Sequence, residues 1–300
     1  MTCTTLRLLF LTFPASIPWD VWLPYLAGAV ILGVGLMVIK EQPQRHGLDR
    51  VIALGPVFLA VPIAVFGTEH FTFAASVSRM VPSWIPGHLF WALFVGTCLI
   101  SAALSLVTKI HAGLAAALFG VMLLLFELLL HIPRAASAPG NRFFWAVALR
   151  DLVFSWGALS YAATQTGKWG MPGTRWVITL ARLFIGIAIA CFGVENLLHP
   201  EFVPGVPLAT LTPVWIPAHL SWSYLTGAVF VVTGLCLIVN KEARLAATWL
   251  GVMVLVLVLA VCVPVVSANP SDIGRGLNNL VETLLLSGSA LAFAGTQRGK

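Results

Sequence analysis

Charge is what this chain has least of. Only 9% of its 300 residues are Asp, Glu, Lys or Arg, against about 25% in a soluble globular domain. Too little polar surface remains to cover a body of this size in water, which excludes a soluble enzyme or carrier. Paired cysteines are also lacking. Cys3, Cys98, Cys191, Cys236 and Cys262 include no C-x-x-C, which disfavours thiol–disulfide exchange and excludes C-x-x-C-H haem attachment. There is no Walker loop, no glycine-rich dinucleotide turn and no nucleophile elbow. The loops between apolar runs are short, so no soluble domain is available to hold such chemistry.

What is abundant is apolar length. The chain is 59% hydrophobic, with a mean hydropathy of +0.95. Its apolar residues fall into runs at 23–40, 51–71, 85–107, 112–132, 143–163, 177–198, 216–239, 245–266 and 277–294. Each has the length that crosses a hydrocarbon core about 30 Å thick. None alternates apolar with polar residues as a spanning strand would. The sequence therefore predicts an all-α polytopic membrane protein of nine helices, with the lipid bilayer as its first partner. Residues 1–13 have one Arg and an apolar stretch too short for a signal sequence, and are read as an interfacial segment.

The net charge of +6 does not indicate nucleic acid, because the basic residues sit at the ends of the runs and form no single face or tail. Sorted by alternate loops, Lys40, Arg45, Arg50, Lys109, Lys168, Arg175, Lys241, Arg244, Arg298 and Lys300 share one side. Arg7, Arg79, Arg134, Arg142 and Arg275 share the other. The positive-inside rule then expects a bacterial inner-membrane type of arrangement, with the N-terminus outside and the C-terminus in the cytoplasm.

The sequence repeats itself. A shift of 131 positions aligns 82–164 with 213–295 without a gap, matching Pro82/Pro213, Trp84/Trp215, Pro86/Pro217, His88/His219, Trp91/Trp222, Gly120/Gly251, Pro133/Pro264 and Gly157/Gly288. The preceding helix aligns at a shift of 126, with Phe66/Phe192, Gly67/Gly193 and Glu69/Glu195. Each copy holds four helices, so both insert in one orientation, as parallel repeats. Residues 18–39 match 217–238, a lone copy of a second helix. The expected organisation is 1+4+4: a segment and lone helix over 1–50, a four-helix bundle over 51–165, a cytoplasmic linker over 166–176 and a second bundle over 177–300.

Phe66-Gly67-Thr68-Glu69-His70-Phe71, Val81-Pro82-Ser83-Trp84-Ile85-Pro86-Gly87-His88 and Arg142-Phe143-Phe144-Trp145 through Leu149-Arg150-Asp151 resemble the DoxX-like family of four-helix membrane proteins. Ala181-Arg182-Leu183-Phe184, Phe192-Gly193 and Val214-Trp215-Ile216-Pro217-Ala218-His219 carry the resemblance in the second copy. It covers nearly everything after residue 50, twice. The resemblance implies a helical bundle and, in some relatives, association with quinone-linked or thiol-linked redox systems. The thiol branch fits poorly without paired cysteines, and a fold of this kind does not by itself name a reaction.

The polar residues of each copy gather near the expected outer face. Glu69 and His70 close the first helix, His88 opens the second, and Glu127 and His131 end the third. Glu195 and His219 are their counterparts, while Val258 and Cys262 replace Glu127 and His131. Such groups either hydrogen-bond helix ends where water is available, or bind a small molecule, or relay protons. His70, His88 and His131 are also the candidates for a metal.

Deeper charges are costlier, at least about 2.5 kcal/mol each: Glu127, Arg150, Asp151, Arg182 and Glu282. An Arg182–Glu282 pair would neutralise two of them, with Asn278 one turn away. Arg150 is expected to pair across the seam between copies, since adjacent helical residues do not face each other. The Trp-Ile-Pro units place Pro86 and Pro217 at first helical positions, and Trp19, Trp22, Trp84, Trp91, Trp215 and Trp222 in an outer aromatic belt. Three functions fit these residues. One is an accessory or redox-associated subunit binding a quinone or small hydrophobic ligand in the outer half of a bundle. The others are a transporter and an assembly subunit without chemistry of its own, among other membrane subunits.

Overall fold

The computed structural model describes residues 17–41, 47–165 and 174–297. The interfacial segment, Cys3, Arg7, Arg45, most of the linker with Lys168, and Arg298 and Lys300 lie outside the described residues.

Among the described residues nine helices are long and apolar enough to cross a membrane. They are α1 Trp19–Lys40, α2 Leu48–Thr72, α3 His88–Thr108, α4 Ala112–Ser137, α5 Arg142–Thr164, α6 Thr174–Leu198, α7 His219–Ile238, α8 Ala243–Ala268 and α9 Ile273–Ala294. The only strand-like pairing described is an isolated bridge between Phe202 and Leu211. The chain is an all-helical, multi-pass integral membrane protein, because only helices or closed barrels satisfy their backbone within hydrocarbon.

The helix starts correct one expectation. α3 begins at His88 and α7 at His219, so Pro86 and Pro217 stand before the helix and not at its first position. The cause is the residue between. Gly87 (φ 73°) and Ala218 (φ 53°) are left-handed, which turns the chain sharply into the helix. Trp91 and Trp222 then reach back one turn. Each indole N–H donates to the preceding proline carbonyl, Pro86 or Pro217, at 3.1 Å. The tryptophans of the motif thus fasten the entry turn while Trp19, Trp84, Trp91 and Trp215 remain exposed at the same end.

Three helices contain a π-helical turn, where one extra residue is accommodated, and α9 opens on one at Ile273–Leu277. In α4 it is Glu127–His131 and in α8 Val258–Cys262, 131 positions apart, the spacing found in the sequence. Pro133 and Pro264 follow in the next helical segment, where the widened turn tolerates a residue without an N–H.

Each helix from α1 to α9 packs on its neighbour in sequence, but the copies do not stand apart. α9 packs against α2 and α5 of the first copy as well as α8, and α5 packs against α6. This interleaving needs small residues. A Cβ on Gly288 of α9 would lie 2.6 Å from the backbone of Phe58, and one on Gly157 of α5 would lie 2.4 Å from Ser289. Backbones this close gain dispersion contacts, which drive helix association where lipid supplies no hydrophobic contrast. Accordingly 83% of the most apolar window of α9 is buried, against 22% for α1. α1 lies outermost, against α2 and α3.

Candidate functional site

The interleaving brings charged residues from both copies to one place. Arg150 and Asp151 sit about 12 Å into α5 from Arg142, at 1.5 Å per residue. Glu282 lies at a similar depth in α9. The Arg150 guanidinium spans the seam: its Nε donates to Asp151 Oδ1 at 3.0 Å, and its Nη1 pairs with Glu282 Oε1. His131 Nε2 lies 3.1 Å from Asp151 Oδ2. The result is a four-residue chain, His131–Asp151–Arg150–Glu282, contributed by α4, α5 and α9.

Two expectations change here. Glu282 pairs with Arg150, not with Arg182. Arg182 instead donates from Nη1 to the carbonyls of Leu237 and Ile238, at 2.5 and 2.6 Å, where α7 ends. The last carbonyls of a helix have no partners of their own and carry the negative end of its dipole, so a guanidinium in reach is drawn to them. Arg150 does cross the seam, as its isolation in the sequence implied. It also bonds its neighbour Asp151, because a long guanidinium curls back along a helix in a way that Cβ directions alone do not forecast.

A cavity of about 220 Å³ adjoins this chain. Phe66, Val95, Leu99, Phe119, Met122 and Leu285 form apolar walls, and His70, Arg150, Asp151 and Glu282 supply its polar atoms. It lies in the half of the protein toward the His88 end, bounded by α2, α3, α4, α5 and α9. His70 is oriented by its own helix. Its Nδ1 donates to the Phe66 carbonyl at 2.7 Å, since a carbonyl only accepts, and this leaves Nε2 as the other ring nitrogen. In the second copy Asn196 takes the same role, donating to Phe192 O at 2.7 Å.

The other candidate residues are dispersed. Glu69 is buried beside Asn278, and its Oε1 has no hydrogen-bond partner; the same holds for Asn278 Oδ1 and Asn279 Nδ2. Glu127 is also buried with both oxygens unpartnered. Glu195 has become a clamp, 3.1 Å from Arg142, whose guanidinium stacks on Phe202 at 3.9 Å. His88 and His219 stand half-buried at helix starts and do not line the cavity. The metal expectation therefore lacks its geometry. His70 faces the cavity, His131 is committed to Asp151 and His88 is elsewhere. Among the described residues no group of three or more His, Cys, Asp or Glu is placed to hold a metal ion.

Arg150 is the residue the sequence undervalued. From the sequence it is expected to pair across the seam but is not among the candidate ligand-binding residues, and Val281 occupies the equivalent position 131 residues on. Tyr25 of α1 was also missed. Its hydroxyl donates to the Pro270 carbonyl at 2.8 Å and ties the lone helix to the loop before α9. No protein-family model matches the chain, and comparison with curated proteins and with solved structures finds no match.

Proposed function

We propose that this membrane protein binds a small, mostly apolar ligand bearing hydrogen-bonding oxygens, of the size of a quinone ring, in the cavity beside Arg150. In this reading it is an accessory or redox-associated subunit of DoxX-like type, with the cavity toward the outer face. The observation that carries the reading is the composition of the cavity: apolar walls on most sides, with one guanidinium, one imidazole and the two carboxylates paired to that guanidinium at the polar edge. Arg150 has five N–H groups, and its bonds to Asp151 and Glu282 engage two of them. His70 offers Nε2. A few convergent polar groups in an apolar pocket is the usual form of a small-molecule site. At about 220 Å³ the space suits a ring, with any tail leaving between helices.

The test is direct. Protein purified with its native lipids is extracted and the extract analysed for quinones and other small lipophiles. A short-tailed benzoquinone is then titrated against thermal unfolding in detergent. The expected result is a bound lipophile in the extract and a raised midpoint, both lost in Val95→Phe, which fills the cavity. An empty extract, with a midpoint that responds equally in wild type and Val95→Phe, refutes the reading.

A further inference from the structure

Glu127 lies outside the ligand pocket just described, and nothing in that pocket accounts for it. It is 1% exposed, and neither carboxyl oxygen has a hydrogen-bond partner. Buried polar atoms without partners are uncommon and call for an explanation. Glu127 opens the π-helical turn of α4, and His131, which closes that turn, is the residue that holds Asp151.

The second copy shows what the turn itself requires. Val258–Cys262 forms the same turn from Val, Leu, Ala, Val and Cys, with no ionisable carboxyl or imidazole. Neither Glu127 nor His131 is needed to make or bury this piece of backbone. They are additions to a scaffold that folds without them.

The surroundings define what Glu127 is able to hold. Arg150 and Asp151 of α5 act on it electrostatically, and Glu282 of α9 pairs with Arg150. His131 is on its own helix, and His70 of α2 lies across the cavity. Arg134, one turn further on, is directed to the ring of Phe144 at 4.7 Å. Counted as carboxyl groups, Glu127, Asp151 and Glu282, with buried Glu69 acting on Glu282, stand against the single guanidinium of Arg150. A membrane interior keeps charges only when they are balanced. A proton on Glu127 removes one of those negative charges where no other partner is in place.

We propose that Glu127 is a buried proton-binding site attached to the Arg150 pocket, and that its occupancy changes when the pocket is filled. The first part stands on the geometry of α4, α5 and α9 alone. The second rests on the pocket reading given above. The ligand of the new site is the proton itself, held on an oxygen with no other partner, and no covalent or redox step is involved. Any ligand that draws Arg150 away from Asp151 or Glu282 unbalances the group and draws in or expels a proton.

Dicyclohexylcarbodiimide, an apolar reagent that attacks protonated carboxyls in apolar surroundings, tests this on the whole protein in liposomes. Labelling mapped by mass spectrometry is expected at Glu127, falling about tenfold per pH unit on the alkaline side of its midpoint, the slope of one proton. Glu127→Gln removes the label together with a carboxylic C=O band in the infrared spectrum. Glu127→Val copies the residue at position 258, so it should fold and serve as the second, structure-preserving variant. A short-tailed benzoquinone is expected to change the labelling rate at Glu127 in wild type but not in Val95→Phe. If wild type and Glu127→Val show the same label and the same infrared band, the proton site is refuted. If the label is present but indifferent to quinone that has been shown to bind, the site stands and its coupling to the pocket falls.

Discussion

Arg150 shows how one side chain binds together two halves of a sequence. It sits between Asp151 of its own helix and Glu282 of α9, with His131 continuing the chain beyond Asp151. Removing one member of a buried ion pair leaves an uncompensated charge and costs about 3–5 kcal/mol, whereas removing both partners together costs far less. Arg150→Gln is therefore expected to lower the thermal midpoint in detergent severely. Arg150→Gln with Glu282→Gln should recover much of the loss, since Asp151 keeps His131. If the double variant is no more stable than the single, the seam pair is not what holds α5 to α9. Arg182 provides the contrast: an equally deep arginine in the sequence, it is satisfied by the two carbonyls at the end of α7 and needs no carboxylate.

At the scale of elements, the helix entries repay attention. Both copies enter their second helix through a left-handed residue, followed by a tryptophan that caps the proline carbonyl. The first copy uses Gly87, to which this conformation is open; the second uses Ala218. A left-handed L-residue costs about 1–2 kcal/mol, while glycine loses about 0.5–1 kcal/mol more chain freedom on folding. Ala218→Gly should therefore be stabilising by about 0.5–1 kcal/mol, read as a higher unfolding midpoint. A lower midpoint would mean that the methyl group of Ala218 is worth more than the strain it brings. The π-helical turns tell a related story. Their backbone is common to α4 and α8, but only α4 loads the turn with Glu127 and His131. The chemistry was set by side chains on a shared frame.

The whole molecule is a single interleaved body of helices in which α9 is the centre. α9 touches α2 and α5 through glycine-assisted contacts that leave no room for a Cβ, and near the opposite membrane face Arg244 of α8 pairs with Asp49 of α2. Two independent four-helix units would each bury their own helices, whereas α9 is covered by α2 and α5 as well as by α8. Residues 1–165 expressed without the remainder are expected to be degraded or aggregated, and co-expression with residues 166–300 should restore a stable complex that purifies as one species. A stable, monodisperse 1–165 fragment would show that the first copy closes on itself without α9.

Much of this was legible in the sequence. Apolar runs of fixed length named nine spans, whose ends needed revision only by a few residues, because the cost of placing backbone and charge in hydrocarbon is local and large. The Trp, Pro and Gly identities 131 positions apart fall at matching helix entries and beside matching π-helical turns, because these residues are spent on turns and close contacts. Partnership was not legible. The sequence put Arg182 and Glu282 in one copy and implied that they meet, whereas side-chain reach and unpaired helix-end carbonyls took Arg182 elsewhere. Glu69, His88 and His131 lay at corresponding helix ends but do not gather, since helix rotation directs each to a different neighbour.

What the sequence determined by itself was therefore the medium, the number of crossings and the inventory of costly charges. Those follow from length and composition, which any tertiary arrangement must respect. Only the tertiary structure decided that α9 would lie between α2 and α5, and that Arg150 of one copy would meet Glu282 of the other beside a ring-sized cavity. Such pairings depend on the relative rotation and depth of packed helices, and these are fixed by glycine contacts spread over residues more than a hundred positions apart.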